Sequence, residues 1–469
     1  MGERPPCTRK VVGSTPITST YYLKKGFFTM DISRKTSRAL EEIMTTEEIE
    51  KLFVPRLMEN TSNFIDITKH FLENRSACNK EFFVTFTKES DRVESFLDDH
   101  GAGNNKKFFY LRELVAAIRW FTQAIFQNLH ILSRYEFYSL NLSPDKEKEF
   151  LDNLEKNLNF LNETLMIFSR EIISEFEILG IYPRKDTEHT GYVNFEVPYR
   201  KMLPSDLEQQ DDIGDRDRLI NFLLKFLDMG QDLEMFSNDR DMKENITEET
   251  LENFRSGYHR LQSTYDTYIG NTSIARELPS LVSLRGHISV NLHLLEMARS
   301  LIHFYERHTE RFSRLSENRP GLREIRFNEI KKCIELFVLP FVFSFAKSGK
   351  ILGEQIFKFL GTDPDEYVLE TISLVISPYR IEDFHLRPVM PVTQIAAKYS
   401  TNIDLYFNRK RYDLKSPLEM AMAIPDIREK LATESARIIV RGPRKATREI
   451  FEFFSQCCGA IPEQQLINK

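Results

Sequence analysis

The sequence has few cysteines, and their positions suit neither a metal site nor a disulfide framework. Among 469 residues there are five, an odd number without metal-ligand spacing. They are Cys7, Cys78, Cys333, Cys457 and Cys458. Cys457 and Cys458 end an amphipathic segment, where one buried and one exposed thiol is a simpler interpretation than a redox pair. We therefore expect reduced thiols, a cytoplasmic location and no bound metal.

Long apolar runs are also absent. The most apolar stretch, residues 336–345, is much shorter than a membrane span and contains Pro340, so we expect a core segment. The N-terminus carries basic residues but no apolar stretch typical of a signal peptide. The net charge of −6, without a basic tail, argues against a nucleic-acid-binding protein. We therefore predict neither a membrane span nor a nucleic-acid partner.

Motifs for nucleotide binding and ester hydrolysis are missing as well. The chain contains no Gly-x-x-x-x-Gly-Lys phosphate loop, no Gly-x-Gly-x-x-Gly turn and no Gly-x-Ser-x-Gly nucleophile motif. Four histidines crowd one helical region, but their spacing fits no metal-binding helix motif. They are His287, His293, His303 and His308. We interpret them as residues of a polar helix face, and we predict no cofactor.

What the sequence does contain, from Thr36 to Gly361, is a succession of helical signals. Thr45 to Glu48 form a capping box, and apolar residues recur at three- and four-residue steps over 108–135 and 151–180. The second of these patterns fits either a bundle or a dimer, and we favour the bundle. Further helices are predicted at 219–229, 247–270, 287–312 and, with a break at Pro340, 325–360. One short run, Phe82 to Phe86, suggests a strand.

These signals divide the chain into parts. The size of the chain and its 41% hydrophobic content allow two or three folded units. We expect a mobile arm over 1–35, a helical module over 36–361 and a second domain over 367–458, with a tail at 459–469. The polar, proline-containing stretch 182–218 is either a long loop or a hinge between two helical lobes.

A candidate site lies near the C-terminus, in the stretch from Glu382 to Pro388. Residues 368–376 alternate as a half-buried strand, and residues 389–399 follow helical steps. His385 is therefore predicted at a helix N-terminus, where unpaired N–H groups and the macrodipole favour an anion and Arg387 adds positive charge. An imidazole nitrogen in this position can accept a phosphoryl group. The alternative is a histidine that only caps the helix.

The elements after His385 follow a regular order. Residues 402–407 and 411–414 form a predicted hairpin with Asn408-Arg409 at its turn. Ser416 then caps a short helix, with Pro417 in the first position and Glu419 at the capping-box spacing. A strand over 437–440 and a helix over 446–457 complete the order of strand, helix, strand, strand, short helix, strand, helix.

This order, together with four short motifs, resembles the histidine-containing phosphocarrier family, HPr. The motifs are His385-Leu386-Arg387-Pro388, Ala397-Lys398-Tyr399, Asn408-Arg409-Lys410 and Leu414-Lys415-Ser416. The resemblance covers about the last hundred residues, and the helical region resembles no family we recognise. It implies an α+β chain in which a large, mostly α-helical region precedes an open-faced β-sandwich. Such a sandwich has a four-stranded antiparallel sheet with helices on one face.

The resemblance also implies a function in a bacterial phosphotransferase system. His385 would accept phosphate from Enzyme I and pass it to an EIIA protein, with Arg387 as its charge partner. Ser416 would be the target of a regulatory HPr kinase/phosphorylase. The chain would then be a phosphocarrier or regulator rather than a conventional enzyme, linked to a helical module whose protein partner is unknown. The alternative is a phosphate-independent scaffold that uses the same fold for docking. No motif supports a third hypothesis, an enzyme site in the helical region.

Three positions depart from the family pattern. Pro391 falls within the first predicted helix of the domain, so this helix begins later or bends. Glu419 adds a charge where partners of the family dock. Residues 423–436 are predicted as an unusually long loop.

Overall fold

The fold of the described residues belongs to the α+β class, as the sequence predicts. The computed structural model describes residues 43–182, 215–238, 246–362, 365, 368–399, 401–408 and 410–462. These residues are mostly helical, and a small antiparallel sheet lies in the C-terminal region. The arm predicted over 1–35 and most of the hinge predicted over 182–218 lie outside the described residues.

The chain divides into two compact units, Met1–Pro55 and Arg56–Lys469. In the first, the predicted capping box is present. The Thr45 hydroxyl accepts a hydrogen bond from the Glu48 N–H, and the Glu48 carboxylate accepts one from the Thr45 N–H. This box starts a helical turn, Thr46–Glu48, that continues into a π-helical turn, Ile49–Phe53. The second unit contains both the helical bundle and the sheet, so the predicted division near Gly361 stays a prediction.

The helices that precede the sheet follow the predicted apolar stripes closely. In chain order they are α1 (Val54–Asn74), α2 (Lys80–Asp99), α3 (Phe109–Arg134), α4 (Pro144–Leu179), α5 (Asp215–Asn238), α6 (Glu248–Tyr268), α7 (Ser273–Glu277), α8 (Pro279–Leu315), α9 (Phe327–Lys332) and α10 (Leu339–Phe359). Thr247 caps α6 by accepting from the Thr250 N–H, and Gly180 ends α4 in the left-handed conformation.

Helix α8 forms the centre of the bundle and packs against α3, α6 and α10. Its Phe304 ring lies 5.1 Å from the ring of Phe121 on α3 and 5.6 Å from that of Phe168 on α4. These rings are fully buried. Large apolar side chains that face each other from several helices supply most of the free energy that holds such a bundle together. The apolar residues of the stripe over 151–180 thus pack within the bundle.

Two predictions for this region are wrong. Phe82 to Phe86 are helical, because Asn79 caps α2 and the buried Phe82, Phe83 and Phe86 continue the helical stripe to Val93 and Leu97. A run of five residues cannot distinguish a strand from a buried helical segment. The polar-face interpretation of the histidines is wrong for two of the four, since His287 and His308 are buried within the bundle.

The predicted break near Pro340 takes the form of a π-helical segment, Cys333–Val338, between α9 and α10. Pro340 lies at the start of α10 and has no N–H to donate, so the regular helical hydrogen bond is missing there. The preceding turn widens into the π-helical conformation instead. By length and composition alone, the stretch Phe327–Phe359 could cross a membrane, with a mean hydropathy of 1.4. A core helix of a globular protein meets the same criterion, and 44% of the most apolar window is buried here.

The C-terminal sheet has five antiparallel strands in the order β3-β2-β4-β1-β5. The strands are β1 (Leu369–Ile376), β2 (Asp404–Phe407), β3 (Lys410–Asp413), β4 (Ala436–Pro443) and β5 (Ile461–Pro462). Asn408 turns the β2–β3 hairpin with a φ of 47°, while Arg409 lies outside the described residues. The short β5 adds a fifth strand to the four that were predicted, within the stretch expected to be a tail.

One face of this sheet carries the helices of the C-terminal region. They are α11 (Leu386–Val389), α12 (Pro391–Ala397), α13 (Pro417–Leu431) and α14 (Arg444–Cys458). Alternate strand residues such as Leu374, Ile438 and Leu405 form one core with them. The prediction of a long loop over 423–436 is wrong, because α13 continues through Pro425 to Leu431. Buried Ile424, Ile427 and Leu431 keep it on the core.

The other face of the sheet packs partly against the bundle, through α5. Arg441 on β4 forms ion pairs with Asp228 and Asp232 of α5, the second at 2.6 Å. Gln231 of α5 donates to the hydroxyl of Thr371 on β1 at 3.0 Å. The helices that follow His385 therefore lie on the face that points away from the bundle.

Candidate functional site

The segment that leads to His385 is held by one buried ring and one ion pair. After β1, a 3-10 turn at Pro378–Arg380 redirects the chain, and Arg380 pairs with Asp383 at 3.0 Å. Phe384 is fully buried and stacks on Phe454 of α14, with 6.3 Å between the ring centroids. Since Phe384 points into the core, the next residue is directed toward the surface.

His385 occupies the N-cap position of α11, as the sequence predicts. Its backbone is extended (φ −140°, ψ 176°), and its carbonyl accepts the first helical hydrogen bond, from the Val389 N–H. The side chain is half-buried and does not cap the helix. No hydrogen bond to the imidazole is formed by any residue that the structure describes. The alternative of a histidine whose ring only caps the helix therefore finds no support in the geometry.

Arg387 lies two residues further on, in the first turn of α11. Its side chain is exposed and forms no ion pair within the described part of the chain. Pro388 has no N–H, so this turn offers an anion the backbone N–H groups of Leu386 and Arg387 together with the guanidinium. The macrodipole of a four-residue helix is weak, which leaves Arg387 as the main positive charge beside His385.

The helix after His385 is interrupted, as Pro391 suggested. Helix α11 ends at Val389, Met390 forms the break, and Pro391 begins α12. A proline ring at this position would crowd the carbonyl of Arg387 if the helix were continuous. The interruption separates the turn that carries His385 from the buried Val392 and Ala396, which anchor α12 in the core.

Ser416 caps α13, as predicted, but only half of the capping box forms. The Ser416 hydroxyl accepts from the Glu419 N–H at 3.3 Å, and the Glu419 carboxylate accepts from the Asp413 N–H at 2.6 Å instead of from Ser416. The Glu419 carboxylate is therefore turned toward the end of β3, and the side chain is half-buried. Within the described ranges, no hydrogen bond or ion pair joins Ser416 to His385 or Arg387.

Several large apolar side chains close to these residues in sequence are exposed to solvent. Leu386 follows His385 directly and is 51% exposed, and Leu418 and Met422 of α13 are 72% and 53% exposed. Leu386 adjoins His385, whereas Leu418 and Met422 lie on a separate helix; apolar side chains exposed beside a reactive group are used where another protein binds. This feature was not among the sequence predictions, because apolar residues at a helix start are not by themselves a signal of exposure.

A second group of titratable residues lies inside the helical bundle. Glu113 is fully buried and receives hydrogen bonds from His308 at 2.8 Å and from Arg311 at 2.7 Å. Burial alone would raise the pKa of Glu113, but the hydrogen bond with His308 and the nearby arginines lower the pKa below its usual value. With Glu113 enclosed on all sides, this group stabilises the bundle rather than forming an open site.

The geometry offers no evident metal site in the described residues, where no three His, Cys, Asp or Glu side chains are grouped to hold an ion. No protein-family model matches the chain, and neither a curated protein nor a solved structure matches it. The candidate site is accordingly defined by its own residues, with His385 and Arg387 on one exposed turn and Ser416 on a separate helix.

Proposed function

We propose that the C-terminal domain is an HPr-like phosphocarrier in which His385 accepts a phosphoryl group from a phosphohistidine donor. The observation that carries this proposal is the half-exposed His385 imidazole, without a hydrogen-bond partner among the described residues, at the N-cap of α11 and two residues from Arg387. The proposal is also supported by the order of the elements from β1 to α14 and by the packing of α11 to α14 on one face of the sheet.

The chemistry needs few protein groups. A neutral ring nitrogen of His385 attacks the phosphorus atom of the donor, a new N–P bond forms, and the N–P bond of the donor breaks. The donor imidazole keeps the electron pair of the broken bond. Arg387 and the N–H groups of Leu386 and Arg387 interact with the oxygens of the transferring group, which carry negative charge throughout. The reverse reaction on an acceptor protein uses the same contacts.

The exposed apolar side chains support a protein partner for this step. Leu386 adjoins the reacting histidine, and Leu418 and Met422 extend from the start of α13. On this proposal the partners are an Enzyme I-like donor and an EIIA-like acceptor in the bacterial cytoplasm. The same side chains also favour the second candidate function, a phosphate-independent scaffold, because docking does not require His385 to react.

The bundle gives the carrier domain a fixed position. The sheet face opposite to helices α11 to α14 packs on α5 through Arg441, and Arg444 of α14 pairs with Glu354 of α10 at 2.7 Å. We infer that the helical module responds to, or presents, the phosphorylation state of His385.

The proposal predicts acid-labile, base-stable labelling of the protein by phosphoenolpyruvate and Enzyme I. His385→Ala should abolish the label, because the only reacting nitrogen is removed. Arg387→Ala should retain the label but slow its appearance by about tenfold, since one charge-assisted contact contributes roughly 1.4 kcal/mol to the transition state. His70→Ala, which removes another half-buried histidine from the bundle, is the matched control.

Unchanged labelling of His385→Ala would contradict the carrier function. A wild-type protein that stays unlabelled while it still binds an EIIA-like or Enzyme I-like partner would favour the scaffold instead.

Ser416 is proposed as a regulatory site that also serves as a helix cap. Its hydroxyl accepts from the Glu419 N–H, so Ser416→Ala should lower the free energy of unfolding by about 1 kcal/mol. Ser416→Asp keeps an acceptor at the N-cap and should fold almost as well as the wild type.

If Ser416 is regulatory, the added charge beside Leu418 should slow transfer from the donor to His385 in Ser416→Asp, but not in Ser416→Ala. Thermal melts would establish that both variants fold. Equal transfer rates in the two variants would leave Ser416 with a structural role only.

A further inference from the structure

Two adjacent cysteines end α14, and their sulfur atoms are close together. The Sγ atoms of Cys457 and Cys458 lie 3.3 Å apart, and both are thiols rather than a disulfide. Cys458 is buried and Cys457 is half-buried. One residue of the pair is therefore partly exposed to solvent, and the sulfur of the second lies next to its own.

The last turn of α14 supports the segment before His385. The Cys458 thiol donates a weak hydrogen bond to the carbonyl of Asp383, with 3.9 Å between sulfur and oxygen. One turn earlier, Phe454 stacks on Phe384. Beyond the pair, a Cβ at Gly459 would lie 3.0 Å from Nε of Arg380, so this side chain also packs on the helix end. Any rearrangement of this turn must disturb residues 380–384.

We propose that Cys457 and Cys458 form a redox-sensitive site, which a peroxide oxidises to a vicinal disulfide and which thereby moves the segment that positions His385. The effect on phosphoryl transfer rests on the function proposed for His385, whereas the oxidation itself does not. No sequence motif indicates this role, since the contact between the cysteines and Asp383 exists only in the folded chain.

The reaction proceeds in two balanced steps. The Cys457 sulfur attacks one oxygen of hydrogen peroxide, the O–O bond breaks, and water leaves, so that Cys457 becomes a sulfenic acid. The Cys458 sulfur then attacks the sulfur of Cys457, an S–S bond forms, and the hydroxyl group leaves as water with the thiol proton. Two thiols supply the two electrons that reduce the peroxide. Burial raises the pKa of Cys458, so the more exposed Cys457 is the sulfur that reacts first with peroxide.

The geometry of a helix explains why oxidation has a structural effect. Adjacent Cα atoms are about 3.8 Å apart across a trans peptide, whereas disulfide-bonded residues usually have Cα atoms roughly 4.4–6.8 Å apart. Side chains of adjacent helical residues also point in different directions. The ring closed by a vicinal disulfide therefore requires the last turn of α14 to change its backbone conformation. Cys458 then leaves the carbonyl of Asp383, and the support under Phe384 shifts.

The test exposes the full chain to hydrogen peroxide and follows three properties. Peptide mapping should show that the fragment with Cys457 and Cys458 loses two hydrogen atoms. The NMR resonances of the His385 imidazole, assigned with His385→Gln, should shift. The rate of His385 labelling by Enzyme I and phosphoenolpyruvate should fall by about tenfold. A dithiol reductant should reverse all three changes.

Cys457→Ser is the matched control, because the residue is half-buried and its replacement removes one of the two sulfurs without opening the core. This variant should keep its resonances and its labelling rate in peroxide. Cys458→Ala provides a second test if it folds.

Two outcomes would overturn the inference. One is that, after peroxide treatment, Cys457 and Cys458 both remain thiols, stop at a sulfenic acid or form a disulfide with another cysteine. The other is a vicinal disulfide that leaves the His385 resonances unchanged. A reduced protein that is never labelled would instead contradict the function proposed for His385, while the mass and NMR results would still decide the redox site.

Discussion

His287 is a side chain whose protonation the fold opposes. It lies in α8 with 1% of its surface exposed, and its Nδ1 has no hydrogen-bond partner among the described residues. Burial lowers the pKa of His287 from 6.5 to about 4, although a hydrogen bond with the backbone of Leu140 acts in the opposite direction. Neutral His287 is therefore part of the folded core.

This pKa predicts a loss of stability in mild acid. Between pH 6.5 and about pH 4 the unfolded chain binds a proton at His287 that the folded chain does not, so the free energy of unfolding falls as the pH falls. At pH 5 the loss from this residue should be about 2 kcal/mol relative to pH 7.5. Urea unfolding of wild type and His287→Gln at both pH values measures it.

The variant should show a loss smaller by that amount, because glutamine does not titrate. His259→Gln, which replaces an exposed histidine, is the control and should behave as the wild type. A His287→Gln variant with the same pH dependence as the wild type would contradict this account.

At the scale of single elements, α8 depends on a close approach to the backbone of another segment. A Cβ at Gly286 would lie 1.8 Å from the carbonyl oxygen of Tyr138, which belongs to the turn after α3. The same contact region is fixed by Ser283, whose hydroxyl donates to the carbonyl of Ser139 at 2.5 Å. Backbone atoms cannot move aside as a flexible side chain can.

Gly286→Ala should therefore lower the free energy of unfolding by about 3 kcal/mol, because α8 must move away from this turn. Gly230→Ala is the matched control. Gly230 lies inside α5, where an added Cβ would meet no atom within 4 Å. That substitution should raise the free energy of unfolding by about 0.5–1 kcal/mol, because alanine lowers the conformational entropy of the unfolded chain. Equal changes in the free energy of unfolding for Gly286→Ala and Gly230→Ala, measured by chemical unfolding, would contradict the close approach.

A comparison of the helices and strands with the sequence shows which of them could be predicted. Long stripes such as those of α3 and α4 were predictable, because many apolar positions repeat with one period. The run from Phe82 to Phe86 suggests a strand because five residues are too few to reveal the helical period. The stretch predicted as a long loop over 423–436 is mostly helical, because the core contacts of Ile427 and Leu431, which are visible only in the fold, continue α13 past Pro425.

At the site, His385, Arg387 and the Ser416 cap were predictable from local spacing. The turned carboxylate of Glu419 and the contact of Cys458 with Asp383 were not, since both depend on how separate elements meet.

At the scale of the whole molecule, Arg441 is one of the residues that join the helical bundle to the sheet, together with Gln231 and Arg444. Its side chain is only 13% exposed and lies against the carboxylates of Asp228 and Asp232. Burial raises the pKa of Asp232, and the charge of Arg441 acts in the opposite direction. Arg441 thus joins the C-terminal sheet to α5.

Arg441→Ala should lower the free energy of unfolding by about 2 kcal/mol, because two partly buried carboxylates lose their charged partner. The control is Lys410→Ala, which breaks the exposed ion pair with Asp426 in the same domain and should cost less than about 1 kcal/mol. Urea unfolding compares the two variants. An effect of Arg441→Ala no larger than that of Lys410→Ala would mean that this junction contributes little to stability.

The central claim is that His385, one of ten histidines, is the phosphoryl acceptor of the molecule. Its most direct test is peptide mapping by mass spectrometry at neutral pH after incubation with Enzyme I and phosphoenolpyruvate. We predict a single phosphoryl group on the peptide that contains His385. A phosphoryl group on a different histidine, or no modification under conditions that fully label an authentic HPr, would contradict the claim.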